Sequence, residues 1–258
     1  GTRDPAKLPD LAGTGGEGRR VDFDEKASLL AAFAGVDRVL MISTDGIGKR
    51  IAQQTAAVAA AKSAGVKHVV YTSAPAARPN AEAGLVVEEH FWTEVAIAQS
   101  GLDFTVLRVH MYAENNLMNA SQVVGSGQLF GLIGDRGTAF VARADAARTA
   151  AGALLGAEGK TIEDVTGPAA VTNAERAALF AESSGNPVQN VALTPAQLHG
   201  GMVAAGLPEG FASILVAFQV DAVLGYHGVV TDVVERYSGR RPQSLSEFLA
   251  SHRDLLQA

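Results

Sequence analysis

The sequence predicts an α/β protein built on a doubly wound parallel sheet, with a smaller C-terminal α/β lobe. Two observations support this fold class. Short runs of β-branched and apolar residues alternate with Ala-rich stretches of helical length, which is typical of successive βαβ units. A glycine closely follows each of the first three helical stretches, at Gly35, Gly65 and Gly101, where it suits a helix C-terminus.

The N-terminal elements follow each other in regular order. Strands are predicted at residues 20–23, 38–43, 67–73 and 103–108, with helices at 25–34, 49–64 and 84–100 between them. Because the crossovers are helical, the strands are expected to run parallel, with their carboxyl ends at one edge of the sheet.

Beyond residue 108 the regular alternation of short strands and Ala-rich helices ends. A helix is predicted near Ala120, then a Gly-rich stretch over 125–137 and a helix over 145–155 whose Asp145 can cap it. A strand from Thr161, a helix over 173–184, another strand and several helices ending at Leu256 complete the pattern. We therefore predict a nucleotide-binding domain over residues 1–155. Residues 156–258 are predicted to form a smaller, mostly helical substrate lobe, with some strands returning to the main sheet.

Composition excludes several classes of protein. The 258 residues are 47% hydrophobic and 19% charged, with a net charge of -6 and no cysteine. No basic stripe is present, so nucleic-acid binding is not expected, and disulfides and thiolate metal sites are excluded. The most apolar stretch, 211–224, is broken by Gln219 and Asp221 and is too short to span a bilayer. We expect a cytoplasmic protein without a membrane segment.

The chain starts at Gly1 without a methionine, and its first residues look like the end of a second strand. We therefore expect a fragment that lacks the first strand and the glycine-rich turn that would hold a dinucleotide pyrophosphate. Arg3 lies just past this second strand, where the chain contacts the adenosine ribose of a bound dinucleotide. A guanidinium at this position can pair with the 2′-phosphate of NADP. The alternative is an exposed terminal arginine without a role.

The stretch from Gly13 to Gly18 formally matches G-x-G-x-x-G but is not interpreted as a dinucleotide fingerprint. The fingerprint follows a strand and opens a helix, whereas this stretch follows a proline-containing turn and precedes a strand. A surface loop is the better interpretation.

Two further segments are candidates for cofactor contacts. Asp22 and Phe23 could flank an adenine ring, or they could merely cap the next helix and fill the core. Ile42, Ser43 and Thr44 end the next strand at the expected ligand edge, where contacts to the nicotinamide-side ribose are plausible. They could instead be ordinary loop residues.

The strand 67–73 ends on Tyr71, Thr72 and Ser73 at the same edge, so alternate side chains are expected to face the crevice. A Tyr-x-x-x-Lys pair, in which the lysine lowers the tyrosine pKa for proton donation, is absent from the whole sequence. Acid catalysis of that type is therefore not expected.

Candidate reaction and substrate residues lie farther along. His90 and Glu94 share a helix face, so a histidine oriented by a carboxylate could donate a proton; a solvated polar face would explain the same residues. Tyr112 and Asn115 leave a strand at the ligand edge and could line a substrate pocket, or they could begin the next helix. The scattered histidines predict no metal site.

A series of short segments resembles the NmrA-like atypical short-chain dehydrogenases, and most of all the type 2 NAD(P)H:quinone oxidoreductases. The segments are Arg3-Asp4-Pro5-Ala6-Lys7, Val21-Asp22-Phe23, Ala64-Gly65-Val66-Lys67, Tyr71-Thr72-Ser73, His90 with Thr93-Glu94, residues 100–108, Tyr112-x-Glu114-Asn115, Thr166-Gly167, Gly185 and residues 238–249.

The resemblance implies a Rossmann-like domain with a small C-terminal lobe, and NADP(H) as cofactor. It places Arg3 on the 2′-phosphate and Phe23 near adenine, with Ser43-Thr44 and Thr72-Ser73 bordering the nicotinamide half. Three departures stand out: the glycine-rich turn is missing, Val95 replaces a usual lysine, and Val109-His110 replaces a frequent Asn-Gly.

The leading hypothesis is an NADPH-dependent oxidoreductase that passes hydride to a quinone or similar activated acceptor, with His90 or Tyr112 steering the acceptor or supplying a proton. One alternative is a non-catalytic NAD(P)-binding redox sensor of the NmrA type. Another is that the chain as given binds no dinucleotide. A homodimer is the oligomer considered.

Overall fold

The computed structural model describes residues 1–11, 13–79 and 84–256. Strands and α-helices alternate in it as far as residue 193, and helices alone follow. The strands are β1 (Arg38–Met41), β2 (His68–Ser73), β3 (Asp103–Val109), β4 (Gln128–Leu132), β5 (Lys160–Val165) and β6 (Gln189–Leu193). The α-helices are α1 (Lys26–Phe33), α2 (Arg50–Ser63), α3 (Leu85–Gln99), α4 (Ala120–Ser126), α5 (Arg143–Gly156), α6 (Asn173–Ser184), α7 (Pro195–Ala204), α8 (Glu209–Val223), α9 (Val233–Ser238) and α10 (Leu245–Ser251).

The main sheet has the strand order β1-β2-β3-β5, and all of its neighbouring strands are parallel. Pairing joins Met41 to Tyr71 and Ser73 to Arg108, so the strands finish at one edge. The predicted α/β fold class is confirmed. A second, two-stranded parallel sheet pairs β4 with β6.

Helices cover both faces of the main sheet. Leu29, Val58 and Ile97 of α1, α2 and α3 share one core cluster with Val69 and Phe104. The opposite face packs against α5 and α9. Its cluster contains Val70, Leu107, Val165, Ala150 and Val234. Burial on both faces explains why these strands read as nearly continuous apolar runs.

A third cluster holds the C-terminal part together. It includes Leu129 of β4, Phe180 of α6 and Phe248 of α10, together with Phe140 from the segment between β4 and α5. Helix α6 spans the predicted residues. Thr172 and Glu175 form a capping box at its start, and Gly185 ends it at φ 77°.

Two predicted features are wrong in detail. Residues 20–23 form no strand: only an isolated parallel bridge joins Arg20 to Thr2, because the chain turns directly afterwards, where Asp22 accepts a hydrogen bond from the Asp24 amide. Asp145 does not cap α5, whose N-cap is Ala142. It is buried in the first turn, where its carboxylate accepts from the Gln243 amide.

The Gly13–Gly18 stretch is an exposed turn that opens no helix, as predicted, with positive φ at Gly13 and Gly15. Within the described ranges, no helix is long and apolar enough to cross a membrane.

Candidate active site

The carboxyl ends of β1 and β2 are joined at the ligand edge of the sheet. The Ser43 amide donates to Thr72 Oγ1 at 3.0 Å, which fixes the backbone after β1 against the end of β2. Ile42 is 65% exposed beside this bond. The edge therefore presents an uncovered apolar side chain beside hydroxyl and amide groups.

A chain of hydrogen bonds continues from this edge to the segment that precedes α1. Thr44 Oγ1 donates to Gln53 Oε1 at 3.1 Å, and Gln53 Nε2 donates to Asp24 Oδ1 at 3.0 Å. Buried Arg50 holds the same loop, since its Nε donates to the Thr44 carbonyl at 2.7 Å. Thr44 is thus fixed through both its hydroxyl and its backbone carbonyl.

The candidate adenosine residues lie beside the Thr2 bridge. Arg3 follows Thr2 and is exposed. Half-buried Phe23 packs against the main core, and Asp22 lies 3.5 Å from the Arg20 guanidinium. Neither Asp22 nor the neighbouring aspartate caps α1, because the N-cap residue is Glu25 and its side chain makes no capping bond.

Ser73 belongs to a buried ionic network that the sequence did not reveal. Its hydroxyl donates to Glu94 Oε1 at 2.6 Å. Arg108 donates to both oxygens of the same carboxylate, from Nε at 3.0 Å and Nη2 at 2.6 Å. These bonds and the nearby charge raise the pKa of Arg108. The end of β2 is thus tied to α3 and β3.

His90 has a different partner from the one its spacing suggested. The Tyr71 hydroxyl lies 2.8 Å from His90 Nδ1, whereas Glu94 bonds to Ser73 and Arg108. Burial lowers the pKa of His90 to about 3 and raises the pKa of Tyr71. The imidazole is therefore neutral at neutral pH.

The alternative of a solvated helix face is wrong for α3. Glu89, His90, Thr93 and Glu94 are all buried, because this face packs on the sheet and on α2. Gly48 donates its amide to Glu89, and buried Arg50 lies 3.8 Å from the same carboxylate.

Tyr112 and Asn115 stand just past the end of β3. Tyr112 is half-buried and bridges to Val141, and the Arg143 guanidinium lies 4.6 Å from its ring centroid. Burial raises the pKa of Tyr112. Half-buried Asn115 lies in the 3₁₀ segment Ala113–Leu117 that begins after Tyr112.

A second polar cluster escaped the sequence interpretation. His110 Nε2 lies 3.0 Å from Asp164 Oδ1, and the His110 ring lies 6.5 Å from that of buried His227. Burial lowers the pKa of His227 to about 4. In the sequence, only one feature pointed to this cluster: Val109-His110 stands where the resembled family frequently has Asn-Gly.

Four of the candidate residues carry groups that fit a dinucleotide chemically. A cation at Arg3 suits a ribose phosphate, the hydroxyls of Ser43 and Thr44 suit a ribose, and uncovered Ile42 suits a flat ring. No group of three or more metal-ligating side chains occurs among the residues described.

Comparisons with known proteins show which family the chain resembles. An NAD(P)H-binding family model matches residues 1–156. Quinone oxidoreductase 2 of Escherichia coli (strain K12) is 37% identical over 225 residues, which are 86% of this chain and 78% of that protein. An NAD(P)H azoreductase of Xenophilus azovorans is 30% identical over 254 residues, which are 97% of this chain and 87% of that protein.

Similar solved structures are also reductases that bind NADPH or NADP(H). An NADPH-dependent quinone oxidoreductase from Escherichia coli, complexed with NADPH, superposes with a TM-score of 0.90 at 33% identity, covering 97% of this chain and 88% of that chain. A triphenylmethane reductase of Citrobacter sp., complexed with NADP(H), has a TM-score of 0.85 at 28% identity, with the same coverage.

Proposed function

Because the chain belongs to the NAD(P)H-binding, NmrA-like family, we propose that it is an NADPH-dependent oxidoreductase of quinones or similar activated acceptors. The observation that carries the proposal is the sheet edge at Ile42, Ser43 and Thr72. Open α/β sheets bind their ligands at this edge, and here it combines an exposed apolar side chain with fixed polar groups.

We assign the cofactor contacts by position. Arg3 would pair with the 2′-phosphate, and Asp22 and Phe23 would lie beside the adenine. Ile42, Ser43 and Thr44 would border the nicotinamide half together with Thr72 and Ser73. The bonds from Ser43 to Thr72 and from Ser73 to Glu94 support this assignment, because they hold the edge in one conformation.

NADPH supplies the hydride, and the residues of the chain position the acceptor. A quinone accepts hydride readily, so the missing Tyr-x-x-x-Lys pair is tolerable and placement can provide most of the rate enhancement. Reduction of the quinone to the hydroquinone consumes one hydride and one proton. We assign Tyr112 and Asn115 to the acceptor pocket, with the Tyr112 hydroxyl as hydrogen-bond or proton donor to the acceptor oxygen.

His90 would act through another side chain. Its buried, neutral ring bonds to Tyr71, so it would orient that hydroxyl and the end of β2 instead of carrying a proton as imidazolium. His90 is therefore proposed as a positioning residue. Tyr112, which is only half-buried, is the better candidate for direct contact.

The test is NADPH oxidation by the purified protein with several water-soluble quinones. We expect turnover with NADPH, a higher Kd for NADPH after Arg3→Ala, and a loss in kcat/KM after Tyr112→Phe. Tight binding of oxidised and reduced nucleotide with similar affinity and no turnover would favour the sensor alternative. No binding of either nucleotide would refute both.

Two finer assignments belong to the same proposal. The absence of cysteine from the sequence fits a reducing compartment, and we propose the cytoplasm. A homodimer is proposed as the oligomer, to be tested by light scattering across protein concentrations.

A further inference from the structure

The loop that follows β2 holds a strained conformation at the ligand edge. Ala76 has φ 52°, and it is the one non-glycine residue with positive φ among those described. Alanine adopts this region at a cost, so the surrounding contacts must maintain it. Strain of this kind is most often found where a loop has to present groups to a ligand.

Two arginines donate hydrogen bonds to backbone carbonyls of this loop. Arg108, fixed by Glu94, donates to the Ala77 carbonyl at 3.4 Å. Arg78 donates to the Ala76 carbonyl at 3.1 Å. The first arginine belongs to the main sheet, and the second connects the loop to the C-terminal lobe.

That second connection is an ion pair with Asp221 of α8. Arg78 Nη2 donates to Asp221 Oδ1 at 2.6 Å and Nη1 donates to Oδ2 at 3.1 Å. Asp221 is fully buried, and the Arg78 guanidinium lies 4.1 Å from the Tyr226 ring centroid. Separating the pair would leave a buried carboxylate without a counter-charge, which is energetically costly. The ion pair therefore holds the loop and α8 in one relative position.

We propose that Arg78 and Asp221, with Tyr226 against the guanidinium, form a positioning clamp that fixes the loop after β2, at the ligand edge, against α8 and thereby sets the KM for the acceptor. This inference rests on the proposed function. The proposed cofactor residues are held by bonds outside the clamp. Thr44 bonds to Gln53, Thr72 accepts from the Ser43 amide, and Ser73 donates to Glu94. Loosening the clamp should therefore weaken acceptor binding and leave NADPH binding nearly unchanged.

The experiment compares Asp221→Asn and Arg78→Lys with the wild-type protein. Asparagine keeps the shape of aspartate without its charge, and lysine keeps the charge without the bidentate geometry. We expect Asp221→Asn to raise the quinone KM about tenfold, with kcat changed less than about threefold and the NADPH Kd less than about twofold. Arg78→Lys should give a smaller rise in KM, again with little change in kcat; a purely structural role would lower kcat together with the folded fraction.

A matched control exists on α9. Arg236 makes a bidentate pair with Glu163 at 3.0 and 3.1 Å and lies 5.2 Å from the Tyr237 ring centroid. Arg236→Lys repeats the chemical change away from the loop and should leave the quinone KM unchanged. An equal rise in KM in this control would overturn the clamp.

Amide hydrogen exchange tests the clamp without turnover. The Tyr226 amide, which donates to the Asp221 carbonyl at 3.0 Å, should exchange faster in Asp221→Asn than in the wild-type protein, and Arg78→Lys carries the test if that variant does not fold. A wild-type protein that binds NADPH but reduces no quinone refutes the proposed function, while faster exchange still supports the clamp. Unchanged KM and unchanged exchange in a folded clamp variant refute the clamp itself.

Discussion

Replacement of Glu94 by glutamine should destabilise the protein far more than the same change in an exposed ion pair. Glu94 is 5% exposed and accepts three hydrogen bonds, from Ser73 Oγ at 2.6 Å and from two nitrogens of Arg108. Glutamine keeps one acceptor oxygen. Its amide group would place a donor against a donor of Arg108, which is itself partly buried.

The magnitude follows from the bonds that are lost. A charge-assisted hydrogen bond contributes about 1.5–3 kcal/mol, and removing one partner of a fully buried ion pair costs about 3–5 kcal/mol. Since the Arg108 side chain retains 23% exposure, water offsets part of this loss. We expect the free energy of unfolding to fall by about 2–3 kcal/mol.

Urea unfolding at neutral pH measures this change as a lower midpoint with an unchanged slope m. Glu25→Gln is the matched control, because Glu25 makes two bonds of 2.7 Å each to Arg20 in an exposed pair and its midpoint should barely move. Equal midpoint shifts in the two variants, or a loss below about 0.5 kcal/mol for Glu94→Gln, would refute the burial argument.

Three further predictions concern packing, pH and cofactor choice. Gly152→Ala should lower the free energy of unfolding by about 3 kcal/mol, since its Cβ would lie 1.9 Å from the Tyr237 carbonyl oxygen; Gly156→Ala on the same helix meets nothing within 4 Å and should be neutral or stabilising in thermal unfolding. The pKa values of His90 and His227 lie below their unfolded values, so the unfolded state binds more protons below about pH 6.5. Tm should therefore fall as pH decreases from about 6.5 towards 4, and a flat profile would contradict the burial of both rings. Arg3→Ala should lower the affinity for NADPH about tenfold or more and leave NADH binding unchanged, as measured by nucleotide titration.

Local sequence patterns determined most of the fold. Helices α2, α3 and α6 lie within one residue of their predicted ends, because apolar periodicity and the capping box or glycine act within a few residues. The order of βα units also placed Ser43 and Thr72 at one edge, because parallel strands finish on the same side. Residues 20–23 failed as a strand because a strand requires a partner over its whole length, which local pattern does not specify.

The partners of polar side chains that lie far apart in the sequence were decided by the tertiary structure alone. Glu94 bonds to a serine 21 residues before it and an arginine 14 residues after it, and Arg78 reaches Asp221 across 143 residues. His90 faced Tyr71 instead of the carboxylate one helical turn away. Sequence periodicity fixes which face of an element is buried, whereas the match between buried donors and acceptors depends on how the elements pack against each other.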